Sequence, residues 1–338
     1  MEYTNLKGTG LKVSRFCLGT MTFGGQTDEP EALRIIDHAL GEGVNFFDTA
    51  DGYTDGASEQ ILGKALEHRR DAAVIATKVT NPTGKLPNDS GQGRKHILLN
   101  LERSLRALRT DYIDLYYLHR PDPATPAEEV VETMSGLVRS GKIRYWGVSN
   151  FPAWQFCSLV HTAREMHAVG PVATESVYNL ITRGVEDELT PFLTQYRLGM
   201  TVFNPIAAGL LTGKHHRGHL AEHSRLADNY GYHLRYVSDA NMDAVERLSA
   251  AAMDSGISLL ELSLQWLLNR PAVDSVIVGA SRLEHVRQNI ALASETKKLR
   301  PETLAACDAV WDALRSHSFS YHSNARPVRR PEPEKPRG

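Results

Sequence analysis

Residues 44–53 read Val44-Asn45-Phe46-Phe47-Asp48-Thr49-Ala50-Asp51-Gly52-Tyr53. A mostly apolar, strand-forming run breaks abruptly into a polar loop, so a buried strand is expected to end at Asp48 and to place Tyr53 just beyond its tip. The pattern recurs in Val74-Ile75-Ala76-Thr77-Lys78, which ends on a lysine. It recurs again in Ile113-Asp114-Leu115-Tyr116-Tyr117-Leu118-His119, which ends on a histidine followed by Arg120-Pro121-Asp122. In a closed parallel barrel the C-terminal ends of the strands share one mouth, so Asp48, Tyr53, Lys78 and His119 are expected to converge there.

Working outward from that stretch, short apolar runs alternate with amphipathic ones, the sequence form of consecutive βα units. Strands are expected near 15–19, 44–48, 74–78, 113–118, 143–148, 172–176, 200–204 and 275–278, eight in all. Helical periodicity lies near 30–41, 58–68, 94–108, 126–140, 152–166, 184–196, 240–255 and 283–293, with a last helix near 302–316. Asp28, Ser58, Thr125 and Asn150 read as helix starts, Gly141 and Gly256 as stops. The expected fold is a (β/α)8, or TIM, barrel with long mouth-side loops at 79–93 and 205–239, the latter a lid or clamp. The first fourteen residues, with Gly8-Thr9-Gly10 between two β-capable segments, read as a hairpin plugging the barrel floor. Gly8-x-Gly10 lacks a third glycine and precedes no helix, so it is not a dinucleotide fingerprint.

The chain has 338 residues, which a barrel of about 250 residues with insertions accommodates as one domain, taken as 1–321. Residues 322–338 are expected to be a disordered tail rich in Pro and Arg. A formal charge of −2 gives no general attraction to nucleic acid or membrane. No apolar run reaches the roughly 18 residues a membrane span needs, and MEYTNLKGTG lacks the order of a signal peptide. Cys17, Cys157 and Cys307 are too dispersed for a disulfide framework, so a reducing, cytoplasmic setting is expected.

At one point in space, an Asp, a Tyr, a Lys and a His make an oxyanion-protonating site. Lys78 stabilises the phenolate of Tyr53 and brings the phenol's proton within reach, Asp48 holds Lys78, and His119 donates to an oxygen gaining negative charge. No nucleophile or acidic metal cage accompanies them. Carbonyl reduction with hydride from an external cofactor follows as the natural reaction.

Those residues, in Asp48-Thr-Ala-x-x-Tyr53, Ser58-Glu59-x-x-Leu62-Gly63, Thr77-Lys78, Asp111-Tyr-Ile-Asp-Leu115 through His119, and Gly147-Val-Ser-Asn150, resemble the aldo-keto reductase superfamily from residue 11 to about residue 294. The similarity is greatest to the bacterial branch that includes potassium-channel β-subunit-like proteins. The resemblance implies a (β/α)8 barrel, NADP(H) as cofactor, a small carbonyl compound as substrate, Tyr53 as general acid, Lys78 and Asp48 as its tuning pair, and His119 as the substrate-orienting donor. Similar bacterial proteins are often homo-oligomers. The channel-associated relatives suggest a second reading, a cofactor-sensing regulatory subunit with little turnover.

The cofactor is expected along Gly19, Thr20 and Met21, with Ser149 and Asn150 on the nicotinamide amide and Asn150 also capping the next helix. Similar proteins carry a Gln where this chain has Glu175, whose carboxylate accepts from an amide nitrogen but cannot donate to the amide oxygen. Phe203 of Phe203-Asn204-Pro205-Ile206 is expected to stack on the nicotinamide, while Gly209, Leu210 and Lys214 pass over the pyrophosphate and Arg225 closes over the adenosine half. Gly279, Ser281 and Arg282 open a helix whose N-terminal amides suit a phosphate, with His285, Gln288 and Asn289 beyond it. Substrate-facing positions are taken as Met21, Phe23, Tyr53, His119 and Trp146, plus a C-terminal segment with Phe319 and Tyr321. This lining suits a moderately apolar carbonyl compound, such as a sugar or natural-product ketone. His219-Leu-Ala-Glu222-His223 matches a zinc-hydrolase pattern, but it is short and set in a loop-like stretch, so no metal site is assigned.

Overall fold

The computed structural model describes residues 1–315. Phe319, Tyr321 and the 322–338 tail lie outside the described residues. Strands β1 (Tyr3–Asn5) and β2 (Lys12–Ser14) form the antiparallel hairpin. The barrel strands are β3 (Phe16–Gly19), β4 (Phe46–Asp48), β5 (Val74–Val79), β6 (Ile113–Leu118), β7 (Ile143–Ser149), β8 (Ala173–Val177), β9 (Gly199–Phe203) and β10 (Ser275–Gly279). They pair in parallel and in sequence order, with β10 closing on β3. The helices between and after them are α1 (Glu29–Gly41), α2 (Ala57–Leu66), α3 (Arg94–Ala107), α4 (Ala127–Arg139), α5 (Ala153–Glu165), α6 (Leu189–Tyr196), α7 (Arg225–Asp228), α8 (Tyr230–Tyr236), α9 (Asp239–Asp254), α10 (Leu259–Leu268), α11 (Leu283–Ala293) and α12 (Pro301–Leu314). None of these is long and apolar enough to cross a membrane.

Alternation along the strands sorts their side chains into two cores. Cys17, Phe46, Val74, Ala76, Leu115, Tyr117, Ala173 and Ile277 fill the barrel, and Leu6 and Val13 of the hairpin close its floor. Phe16, Leu18, Phe47, Ile75, Tyr116, Leu118, Trp146 and Val148 point outward into the layer shared with the helices. Gly147 is required where β7 passes Tyr117, because a Cβ there would lie 2.7 Å from the Tyr117 ring and 2.5 Å from the Ala173 carbonyl oxygen. The bulky phenol thus fills the barrel just below its mouth.

Several expected local roles change. The periodic helix at 240–255 is present as α9, yet it packs on α12 at the periphery. The helix that returns the chain to β10 is α10, in which every residue except Glu261 is buried. A helix apolar all round has no amphipathic stripe to read, although Ser258 three residues before Glu261 was a legible start signal. Ser258 does accept from the Glu261 amide. Asp28 caps α1 as expected. Ser58 does not cap α2; its hydroxyl is buried against Thr20 and Thr49 and donates to the Thr20 carbonyl at 2.9 Å. Thr125 bonds to Asp122 at 2.7 Å, and α4 starts without a side-chain cap. Gly141 and Gly256 take the left-handed conformations expected of helix stops.

Candidate active site

Asp48 lies two residues after inward-facing Phe46, Lys78 two after Ala76, His119 two after Tyr117, Ser149 two after Gly147, and Glu175 two after Ala173. Equal parity places all five on the inner face at the mouth, which is why residues scattered through the chain converge. Lys78 is wholly buried at the centre. Its Nζ lies 2.6 and 2.7 Å from the two Asp48 carboxylate oxygens, 2.8 Å from the Thr49 carbonyl oxygen and 3.3 Å from the Tyr53 hydroxyl. Glu175 Oε1 is 3.4 Å away. Ser58 and Glu59 hold the loop that carries Tyr53: the first ties α2 to the ends of β3 and β4, the second accepts from Thr77 of β5 at 2.6 Å.

The Tyr53 and His119 rings meet edge to face with centroids 5.9 Å apart. Asn81 Nδ2 lies 3.0 Å from His119 Nδ1. The amide donates and Nδ1 accepts, so the imidazole carries its hydrogen on Nε2. Burial, helped by the charges of Lys78 and Arg120, holds His119 down to about 3. It is therefore a neutral donor at any working pH. Asn81 was absent from the sequence reading because it lies in the polar loop after β5, where its partner across the mouth has no local signal.

For Tyr53 the net electrostatic direction is the reverse of that expected from Lys78 alone. Burial pushes the phenol up, Lys78 opposes this, and Asp48 and Glu175 add to the rise. The phenol keeps its proton firmly and remains a donor, and Lys78 is placed to stabilise the phenolate left after a transfer.

Beside this cluster, two buried acceptors have no partner among the described residues: Asn150 Oδ1 and Glu175 Oε2. Asn150 is held with φ 62°, its Nδ2 donating to the His119 carbonyl at 2.9 Å and to Ser149 Oγ at 3.0 Å. That geometry replaces the expected cap, since Pro152 precedes α5 and no side chain caps it. A carboxamide NH2 offers two hydrogens, matching two orphaned acceptors, and the Ser149 hydroxyl hydrogen remains for its carbonyl.

A groove of about 690 Å³ leads away from the mouth. Asn204, Pro205, Ile206, Gly209, Lys214 and Arg225 line one wall; Gly279, Ser281, Arg282, His285, Gln288 and Asn289 line the other. Thr22, Gln26, Ser258, Leu260 and His223 also line it, and no motif pointed to them as groove residues. Asn204 is occupied in shaping its turn: Nδ2 donates to Tyr236 at 2.6 Å and Oδ1 accepts from the Ala208 amide at 2.7 Å. Ala207, Ala208 and Gly209 all have positive φ there, a strain that two residues with a Cβ bear only where the surroundings impose it. Phe203 is half-buried against the inner core at the mouth, and Met21, two residues beyond the end of β3, is exposed.

Some predicted residues do not face the site. Trp146 is wholly buried on the outer face of β7, its indole donating to the Val169 carbonyl at 2.9 Å; its parity is that of Tyr116, not Tyr117. Phe23 is wholly buried in the outer core and Leu210 is wholly buried behind the groove. Thr20 spends its hydroxyl on the Asp48 carbonyl at 2.9 Å, and Gly19 gives close passage to Ile277, which a Cβ would approach to 2.9 Å. One α11 amide expected for a phosphate, Leu283 N–H, already donates to Glu31 at 2.7 Å. His216 and His219 pair backbone to backbone in a tight turn, so His219 and His223 do not share a helix face. Among the described residues no group of three or more His, Cys, Asp or Glu is arranged to hold a metal.

The aldo/keto reductase family model matches residues 15–312. A protein of Oryza sativa subsp. japonica described as a probable voltage-gated potassium channel subunit beta is 37% identical over 328 residues, covering 95% of this chain and 100% of its own. A protein of the same description from Arabidopsis thaliana matches at the same identity and coverage. An uncharacterized oxidoreductase, YrpG, of Bacillus subtilis (strain 168) is 37% identical over 305 residues, covering 86% of this chain and 90% of its own. With the barrel, the mouth cluster and this match over most of its length, the chain belongs to the aldo/keto reductase family of oxidoreductases, which generally use nicotinamide cofactors.

Proposed function

We propose that the protein reduces an aldehyde or ketone to an alcohol with NADPH, Tyr53 giving the proton. The observation that carries this reading is Lys78 fixed between Asp48 and the Tyr53 hydroxyl, with a neutral His119 edge-on to Tyr53 and two unpartnered acceptors alongside. A bound nicotinamide supplies the hydride. Ser149, Asn150 and Glu175 hold its carboxamide, and Phe203 flanks the ring. His119 Nε2–H and the Tyr53 hydroxyl both donate to the carbonyl oxygen. As charge builds on that oxygen, Tyr53 transfers its proton; an alkoxide is a stronger base than a phenolate, so the transfer runs downhill even from a buried phenol. Lys78, itself neutralised by Asp48, stabilises the phenolate that remains. Lys214, Arg225 and Arg282 bring positive charge to the phosphates along the groove, Arg282 being placed for a 2′-phosphate. Exposed Met21 and the apolar mouth suit a sugar or natural-product carbonyl compound.

The test is NADPH oxidation across a panel of aldehydes, quinones and ketones, beside NADH and Tyr53→Phe. Wild type should turn over and Tyr53→Phe should bind NADPH yet lose on the order of 10²-fold or more in rate. Equal rates would remove Tyr53 from the chemistry. The likeness to plant proteins described as probable potassium channel β subunits motivates a second reading, a regulatory subunit that binds NADPH with little turnover. Bound cofactor with no oxidation across the panel would select it.

A further inference from the structure

Lys78 has three hydrogens, and four acceptors already surround it: two Asp48 oxygens, the Thr49 carbonyl and the Tyr53 hydroxyl. Glu175, at 3.4 Å, is a fifth for which no hydrogen remains. Its side chain is 4% exposed. The Asp48 and Glu175 carboxyl groups both close on Lys78 Nζ, at 2.6 and 3.4 Å, and two buried carboxylates crowded on one ammonium repel each other's charge, which favours a proton on one of them. Asp48 makes both short bonds to Lys78, so the proton between the two carboxyls belongs to Glu175. The other titratable groups facing Glu175 are buried Cys17 of β3 and Tyr117 of β6 and half-buried Tyr53, all neutral, and none supplies a compensating cation. Burial and the charge of Asp48 both hold the Glu175 carboxyl well above the usual carboxylate range.

The position of Glu175 adds a second element. Its other oxygen, Oε2, is buried and unpartnered, as is Oδ1 of Asn150, whose backbone N–H donates to the Glu175 carbonyl at 3.1 Å, in the place read above as holding the nicotinamide carboxamide. With Glu175 protonated, Asp48, Lys78 and Glu175 sum to zero charge, which suits a reduced, uncharged ring. When the ring is oxidised it carries a positive charge, and in the complex with the oxidised nucleotide alone, where Tyr53 keeps its proton, Glu175 is placed to answer that charge with a negative one.

We propose that Glu175 is the charge compensator of this site: it carries a proton while the neighbouring ring is uncharged and releases that proton to solvent when the ring is cationic. The O–H bond of Glu175 breaks, the electron pair stays on the carboxylate, and the net charge of ring, Asp48, Lys78 and Glu175 remains zero in both redox states. A glutamine in the same place has the shape of protonated Glu175 but no proton to give. This inference rests on the nicotinamide reading of the site.

The test measures protons and binding without turnover. Calorimetric titration of NADP+ and of NADPH, each in buffers of different ionisation enthalpy, should show wild type releasing close to one more proton with NADP+ than with NADPH. Glu175→Gln should show no difference. In wild type the preference for NADP+ should then strengthen with pH by up to about tenfold per unit, and in Glu175→Gln it should stay flat. Infrared spectra of the protein alone should contain a protonated-carboxyl band that Glu175→Gln lacks. Equal proton release by the two nucleotides in wild type, or the same difference surviving in Glu175→Gln, overturns the proposal. Absence of the carboxyl band also overturns it. If Glu175→Gln does not fold, the pH dependence of proton release in wild type decides alone: it must fall to zero once Glu175 titrates in the free protein. Failure of either nucleotide to bind refutes the cofactor reading, and with it the compensator role, while a carboxyl band lost in Glu175→Gln would still place the proton on Glu175.

Discussion

Two regions that meet at the barrel mouth are built on opposite plans. On the floor of the mouth, the Lys78 cluster, the polar groups are tied to one another: Lys78 is answered by Asp48 and the Tyr53 and Thr49 oxygens, and neutral His119 by Asn81. Along the groove, Lys214 and Arg282 are exposed and pair with no acid among the described residues. The floor is thus preorganised before anything binds, while the groove holds its cations in water, ready for an anionic partner. Chemistry needs fixed geometry around a developing charge, whereas recognition of a flexible, anionic ligand tolerates mobile side chains. Asp51 marks the boundary. It lies three residues beyond Asp48, is 9% exposed, and neither of its carboxylate oxygens makes a sound hydrogen bond to the protein.

The largest effect should come from the floor. Lys78→Met leaves Asp48 as an uncompensated buried carboxylate, and a loss of about 3–5 kcal/mol in unfolding free energy is expected from urea titration. A loss below about 1 kcal/mol would mean the floor is not the tightly coupled unit described, and the contrast with the groove would fail.

At the boundary the expected effect is smaller and pH-dependent. Burial, with the nearby charge of Glu59, pushes Asp51 up to about 8. A carboxyl raised above its unfolded value contributes stability that is present in full below about pH 4 and is lost as pH rises through about 8. Asp51→Asn removes that slope. Urea titrations should show the variant gaining about 1–3 kcal/mol on wild type between about pH 5 and about pH 9. A constant difference across that range would show that Asp51 is ionised and compensated like Asp48.

The smallest effect belongs to the groove. Arg282→Ala should weaken NADPH binding about tenfold, weaken NADH binding less, and leave unfolding unchanged, with the loss shrinking at high salt. Calorimetry at low and high ionic strength measures it. An equal loss for both nucleotides would take the 2′-phosphate away from Arg282.

The strand pattern was legible because it depends on local alternation. Strand ends at Gly19, Asp48, Leu118 and Ser149 fall within a residue of where the apolar runs stop. Asp48, Tyr53, Lys78 and His119 were found for the same reason: each sits where a buried run gives way to polar loop. Trp146 was misplaced because its sequence surroundings do not reveal which face of β7 points inward; the parity is fixed only when β7 pairs with β6 and Gly147 clears Tyr117. Helix α10 was missed because it is buried on all sides and has no stripe.

By itself, then, the sequence determined the number and order of the βα units, the barrel they close into, and which ionisable residues reach its mouth, since alternation and breaks in apolar runs are properties of neighbouring residues. Only the tertiary structure decided their states. Asn81 sets the tautomer of His119 from another strand end, the carboxyls of Asp48 on β4 and Glu175 on β8 crowd the one Lys78 ammonium, and the phenol of Tyr53 moves up where one neighbouring cation suggested down. Electrostatic state depends on burial and on the sum of all charges within a few ångströms, and those neighbours are assembled only by the closed barrel.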